Sequence, residues 1–278
     1  MAHDDRLTQA HQRIEQAVHG IVTGDEWRRM LDVAARFHAY SPNNIWLILA
    51  QRPDATQVAG FHTWRKVGRQ VRKGERGIAI LAPMVSRTRA ITATETVEQP
   101  ELVRVLRGFR IVHVFDISQT DGDPLPDVFP TLLEGGDAVG WFDRLAAQVD
   151  AAGFTLDRRE CSPANGVTNF TTRQVTVRPD LSPAQAVKTL AHELGHVLLH
   201  DDAKRSIVDR ARVEVEAEST AYLVCTSVGI DTEDYSFPYL ARWSLGDVEL
   251  IRATADRAIT CARRILTDLG VAVTDRAA

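Results

Sequence analysis

Apolar positions recur at helical spacing as far as Gln51 and then give way to extended runs, so the chain opens as helices followed by strands. Leu7, Ala10, Ile14 and Ala17 line one predicted helix, and Trp27, Met30, Leu31, Ala34 and Phe37 line a second. Ser41-Pro42 starts a third through Ile45-Trp46-Leu47-Ile48-Leu49, which stops before Pro53. Extended segments are predicted at Val58 to Trp64, Ile78 to Leu81 and Leu102 to Phe115, the second entered through a Lys73-Gly74 turn. From Asp121 to Gly136 the chain is rich in Pro and Gly and loses periodic apolar positions, which marks a linker and a hinge between independently folded units. Beyond it, Ser182 and Pro183 read as N-cap and first position of a further helix. Val187, Leu190, Ala191, Leu194, Val197 and Leu198 form its apolar arc, and His192, Glu193 and His196 occupy the opposite sector. The pattern is that of an α+β protein in two domains, 1–120 and 137–278, joined by 121–136.

The polar sector of that helix carries candidate chemistry. His192-Glu193-Leu194-Gly195-His196 places two imidazoles one turn apart, where both reach one metal ion while Glu193 faces a water in the open position. A catalytic zinc wants a third protein ligand. In Arg212 to Tyr222, Glu214 and Glu218 lie one turn apart beside Ala217 and Ala221, small residues that permit close helix packing. Glu214 is the candidate ligand, and Glu218 can accept the free N–H of a ligating histidine. Glu216 points about 200° away from Glu214 and is the weaker candidate. His200 lies about 12 Å along the axis from His192 and reads as a C-terminal cap. A purely structural zinc would favour cysteine ligands, and Cys161, Cys225 and Cys261 all lie away from the motif. Tyr235 or Tyr239 could supply a phenolic donor to an oxyanion, although tyrosines in such an apolar run commonly serve packing.

Composition modifies this picture in one region. The three cysteines form an odd set without C-x-x-C spacing, which indicates a reducing compartment. The N-terminal residues lack a basic-then-apolar signal and no run approaches a membrane span, so a cytoplasmic protein without membrane contact is expected. The net charge of -4 hides an asymmetry: Phe61 to Arg110 holds eleven Lys or Arg against four Asp or Glu, a net +7, which leaves -11 for the rest. Within it, Phe61 to Gly77 interleaves Arg65, Lys66, Arg69, Arg72, Lys73 and Arg76 with Phe61, Trp64 and three glycines. Cations that follow phosphates beside a ring that stacks on a base make a single-strand platform; the same residues also suit a solvated hairpin whose Phe61 and Trp64 belong to the core.

The run from Thr189 to His200, followed by E-V-E-A-E-S-T-A-Y and Gly229-Ile230-Asp231, resembles the zincin domain of ArdC-like antirestriction proteins and, more distantly, ImmA/IrrE-type metallopeptidases. Tyr40-Ser-Pro-Asn43-Asn44, Gly60-Phe61, Trp64 and G-R-Q-V-R-K-G-E are similar to the N-terminal single-stranded-DNA-binding domain of the same proteins, over roughly residues 5 to 118. Asn43 reads as structural, and Asn44 as either structural or DNA-contacting. The resemblance implies an N-terminal domain of helices plus an antiparallel sheet that binds single-stranded DNA. Trp64, Arg65, Lys66, Arg69, Arg72, Lys73 and Arg76 are its candidate contacts. It further implies a C-terminal zincin with a small mixed sheet flanked by helices. That domain would have the gluzincin-like ligand set His192, His196 and Glu214, one Zn2+ per chain, and Glu193 as base. The function so implied is shielding of single-stranded DNA from restriction. The alternative is a regulatory zinc-dependent endopeptidase recruited to a protein substrate on DNA. Whether the metal site cleaves any bond is left open.

Overall fold

The structure, a computed structural model, describes residues 2–21, 23–89, 102–123, 138–200, 207–230 and 247–271. It opens with α1 (Ala2–His19), α2 (Gly24–Arg36) and α3 (Pro42–Gln51). The Thr23 hydroxyl accepts from Glu26 N while the Glu26 carboxylate accepts from Thr23 N, so two donors that a helix start leaves unpaired are satisfied. Trp27, Met30, Leu31, Ala34 and Phe37 are all buried, as their periodicity predicts.

The extended segment expected from Val58 to Trp64 is a strand only as far as Gly60. β1 (Val58–Gly60) gives way to a short helix, α4 (Phe61–Lys66). The turn carries Trp64 inward, where its Nε1 donates to Phe115 O at 2.8 Å, and this burial overrides the strand preference of Phe and Trp. β2 (Arg69–Val71), β3 (Ile78–Arg89), β4 (Leu102–Asp116) and β5 (Thr120–Gly122) follow. β1, β4 and β3 form an antiparallel sheet in that order, and β2 pairs with β5. β3 outruns its expected end because it forms one long ribbon with β4. Gly74, in the turn before it, adopts φ +90°, a left-handed conformation that favours glycine.

The C-terminal part comprises α5 (Ala138–Ala151), β6 (Thr155–Arg158), β7 (Gly166–Asn169), β8 (Gln174–Val177), α6 (Pro183–Leu199), α7 (Ile207–Ser227) and α8 (Val248–Asp268). β8 lies between a parallel β6 and an antiparallel β7, so the small sheet is mixed and the protein is α+β as expected. Ser182 caps α6 by accepting from Gln185 N, with Pro183 at the first position. Among the described residues no helix is long and apolar enough to cross a membrane.

One apolar core runs through both halves. α2 packs on α7, where Trp27 Nε1 donates to the buried Ser219 Oγ at 2.9 Å and the Tyr222 hydroxyl donates to Asp32. α3 meets α8, where Trp46 Nε1 donates to Asp256 Oδ1 at 2.9 Å and Arg252 donates to Asn43 Oδ1 at 3.2 Å. The hinge expected between Asp121 and Gly136 falls largely outside the described residues. The halves it was expected to separate are joined by buried aromatic contacts, which a sequence pattern cannot display.

Candidate metal centre and nucleic-acid interface

α6 brings His192 and His196 onto the face opposite its core stripe, and α7 approaches because both helices are narrow where they cross. A Cβ added at Gly195 would lie 3.3 Å from the Ala217 Cα, so Gly195 and Ala217 let the backbones meet. The approach carries Glu214 Oε2 to 3.5 Å from His192 Nε2 and 3.7 Å from His196 Nε2, while the two imidazole nitrogens lie 3.0 Å apart. In tetrahedral geometry with bonds near those of zinc, ligand atoms are separated by about 3.4 Å, so the three groups fit one ion. Among the described residues this is the cluster of metal-ligating side chains that converges on a point. Burial opposes a charge on His192, but hydrogen bonds to Glu214 and Glu218 outweigh it and push the metal-free imidazole up to about 10. Hydrogen bonds from His192 and then His196 hold Glu214 well below the usual carboxylate range.

Glu218 accepts from His192 Nδ1 at 2.9 Å, which leaves Nε2 free for a metal. Glu193 is 5% exposed, yet it borders a cleft of about 880 Å³ together with Gly166, Thr168, His192 and Glu214. The Thr168 hydroxyl donates to Glu193 Oε2 at 2.6 Å. A Cβ at Gly166 would lie 2.9 Å from Glu193 Oε1 and 2.6 Å from Thr189 Cγ2. Sequence reading missed both residues, whose alternate positions on β7 point at α6; only the fold makes them neighbours of Glu193.

His200 ends α6 as its C-cap, as expected. Its ring turns inward between His196 and Glu216, with Nδ1 3.1 Å from His196 Nδ1 and Nε2 2.9 Å from Glu216 Oε2. Glu216 does not join the ligand set and is fully buried. Tyr235 and Tyr239 lie outside the described residues.

The structure divides the candidate DNA contacts. Trp64 is 2% exposed and hydrogen-bonded to backbone, so its ring cannot stack on a base; this corrects its placement on the platform. Arg69 is spent on Thr120, Gly122 and Asp123, clamping β2 to β5, and Arg72 pairs with Glu75 and Asp121. Arg65, Lys66, Lys73 and Arg76 are exposed and make no side-chain hydrogen bond or ion pair among the described residues. On the outer side of α4 the exposed rings of Phe61 and His62 pack edge to face at 5.7 Å beside Arg65 and Lys66. Arg76 borders a second cleft of about 930 Å³ with Arg13, Arg52 and His113. Asn44 is structural: its amide donates to Leu81 O at 2.9 Å and its carbonyl accepts from Leu81 N at 2.8 Å.

Residues 6–115 match the N-terminal domain of anti-restriction factor ArdC, and residues 146–226 match the IrrE N-terminal-like domain of peptidase family M78. Over 254 residues the chain is 28% identical to an uncharacterized protein, pXO2-81, of Bacillus anthracis; the match spans 77% of this chain and 43% of that protein, less than half its length. The metal-free crystal structure of the antirestriction protein ArdC from plasmid R388 is 20% identical, with a TM-score of 0.50, over 87% of this chain and 97% of that one. Its Mn(II)-bound structure is 22% identical, with a TM-score of 0.49, over 85% and 86% respectively.

Proposed function

From an ArdC-type N-terminal domain joined to an IrrE-like peptidase-type domain, we propose that this protein binds single-stranded DNA and shields it from restriction, in the cytoplasm. The observation that carries this reading is the outer face of α4, where Arg65 and Lys66, unpaired among the described residues, flank the exposed Phe61 and His62 within the ArdC-type region. Cations without protein partners are available to phosphates, and a ring free on one face can stack on an unpaired base at about 1–3 kcal/mol. Single strands should therefore bind more tightly than duplex of the same sequence, and base identity should matter little. In fluorescence anisotropy, Phe61→Ala is expected to weaken single-strand binding by about tenfold. Arg65→Glu/Lys66→Glu should flatten the log–log salt slope by about 0.7 for each lost phosphate contact. Duplex binding as tight as single-strand binding at one salt concentration overturns the reading.

The C-terminal unit is proposed to hold one zinc ion per chain on His192, His196 and Glu214. When bound, zinc supplies a Lewis acid for a carbonyl oxygen and lowers the pKa of a water. Glu193 is the group that takes a proton there: Thr168 holds its Oε2, so Oε1, beside Gly166, remains to receive it. The alternative, a regulatory endopeptidase recruited to DNA-bound proteins, is favoured by one observation. Among the described residues β7 is an edge strand along the cleft, so its outer backbone is open to an extended peptide laid beside Glu193. Gly166→Ala tests this directly. The added methyl meets Glu193 and the branched Thr189 below ordinary contact distance, so the carboxylate must move. Casein hydrolysis should fall by about a hundredfold, the effect of displacing a reacting group by an ångström, with zinc content unchanged. Unaltered hydrolysis would remove Glu193 Oε1 from the proposed role.

A further inference from the structure

Behind the metal-facing side of His196 runs a buried polar chain that the proposed reaction does not use. His196 Nδ1 meets His200 Nδ1 at 3.1 Å, and His200 Nε2 meets Glu216 Oε2 at 2.9 Å. On the far carboxylate oxygen, Arg257 Nε donates to Glu216 Oε1 at 3.0 Å. Arg212 Nε stands 3.2 Å from the same oxygen but lacks hydrogen-bond geometry, so it acts there as a charge. Glu216 is fully buried and His200 is 5% exposed, so water does not satisfy these groups. Arg257 also donates to Leu199 O at 2.8 Å, which fixes the end of α6 beside the ring it helps to orient.

The order of donors along this chain has one solution that leaves His196 able to bind a metal. A carboxylate only accepts, so with Glu216 Oε1 receiving from Arg257 and Oε2 facing His200, the proton between Glu216 and His200 sits on His200 Nε2. A neutral His200 then offers Nδ1 as an acceptor. The proton between the two rings therefore belongs to His196 Nδ1, and the lone pair of His196 Nε2 is left toward His192 Nε2 and Glu214. The opposite order would put a proton on His196 Nε2 and close the site.

We infer that His200 is a positioning residue for His196, and that Glu216, anchored by Arg257 and Arg212, sets the tautomer of His200. The inference rests on the reading of His192, His196 and Glu214 as a metal site. It also explains why three alternate glutamates stand on α7: Glu214 faces the metal, Glu218 orients His192, and Glu216 orients His196 through His200.

The test uses the full chain, stripped of metal and titrated with Zn(II) against a chromophoric chelator, with the melting temperature of the metal-free protein as a fold control. His200→Leu, which can neither accept nor donate, is expected to weaken zinc binding by about 10–100-fold while the metal-free protein still melts cooperatively. His200→Asn places an acceptor opposite His196 Nδ1 and should recover part of the loss. Glu216→Gln should weaken zinc binding in the wild-type background and have no further effect beside His200→Leu, because its influence passes through the ring. A wild-type protein that takes up no zinc overturns the metal reading and this inference together. Wild-type zinc affinity in folded His200→Leu and His200→Asn overturns the inference alone, and losses that add in the double variant overturn the part assigned to Glu216.

Discussion

Glu193→Ala is expected to leave single-strand affinity, zinc content and protection of DNA from restriction unchanged, and to lower any peptide hydrolysis by about 10²–10⁴-fold, the usual contribution of a positioned proton acceptor. The carboxylate lies outside the ligand cluster, with one oxygen held by Thr168 and the other beside Gly166. Its removal therefore takes away a proton acceptor without opening the ion's coordination. Arg65→Glu/Lys66→Glu changes only exposed side chains of α4, and should abolish protection while zinc content and hydrolysis stay at wild-type values. Shielding and endopeptidase action thus predict opposite phenotypes for the same pair of variants in one restriction-protection assay. Loss of protection in Glu193→Ala alone would transfer the function to the peptidase; loss in the α4 variant alone assigns it to the DNA surface. Charge reversal at Arg69 would be less informative, because Arg69 clamps β2 to β5 and its reversal would damage the fold before it reported on DNA.

The parts of this arrangement that were legible in the sequence are those written at short range. A Ser-Pro start, a 3.6-residue apolar stripe and H-E-x-x-H specify α6 with its chemistry on one face, and the small residues beside Glu214 announce the close approach of α7. What escaped depends on which elements meet. Trp64 carries the composition of a stacking platform, but β4 passes beneath it and takes its N–H. Arg69 and Arg72 look like phosphate contacts until β5 and Glu75 are placed beside them. Glu216 appears redundant at two residues from Glu214, because nothing local shows that His200 turns inward or that Arg257 arrives from α8. An ion pair between residues 41 apart in the chain has no periodic signature.

The same long-range packing governs the remaining prediction, that a fragment ending at Thr120 will not fold into a working DNA-binding unit. Trp27 and Trp46 are fully buried in the whole chain, and the N–H of each donates to a partner on α7 or α8 that the fragment lacks. Met30, Leu31 and Ile45 belong to the same continuous core. Each large apolar side chain returned to water costs about 1.5–3 kcal/mol, and a domain is stable by only about 5–15 kcal/mol, so uncovering a few of them removes the margin. The lost N–H partners matter less, since exposed indoles regain hydrogen bonds from water. The isolated 1–120 fragment should show helical far-ultraviolet dichroism, no cooperative thermal transition and single-strand affinity at least tenfold below that of the whole chain, a difference of about 1.4 kcal/mol. Supplying residues 137–278 as a separate chain should restore both the transition and the affinity, because the missing surface is α7 and α8 rather than a covalent link. A fragment that melts cooperatively and binds single strands as the whole chain does would show that the helices around Trp27 and Trp46 close on themselves, and that the contacts to Ser219 and Asp256 join two units already formed.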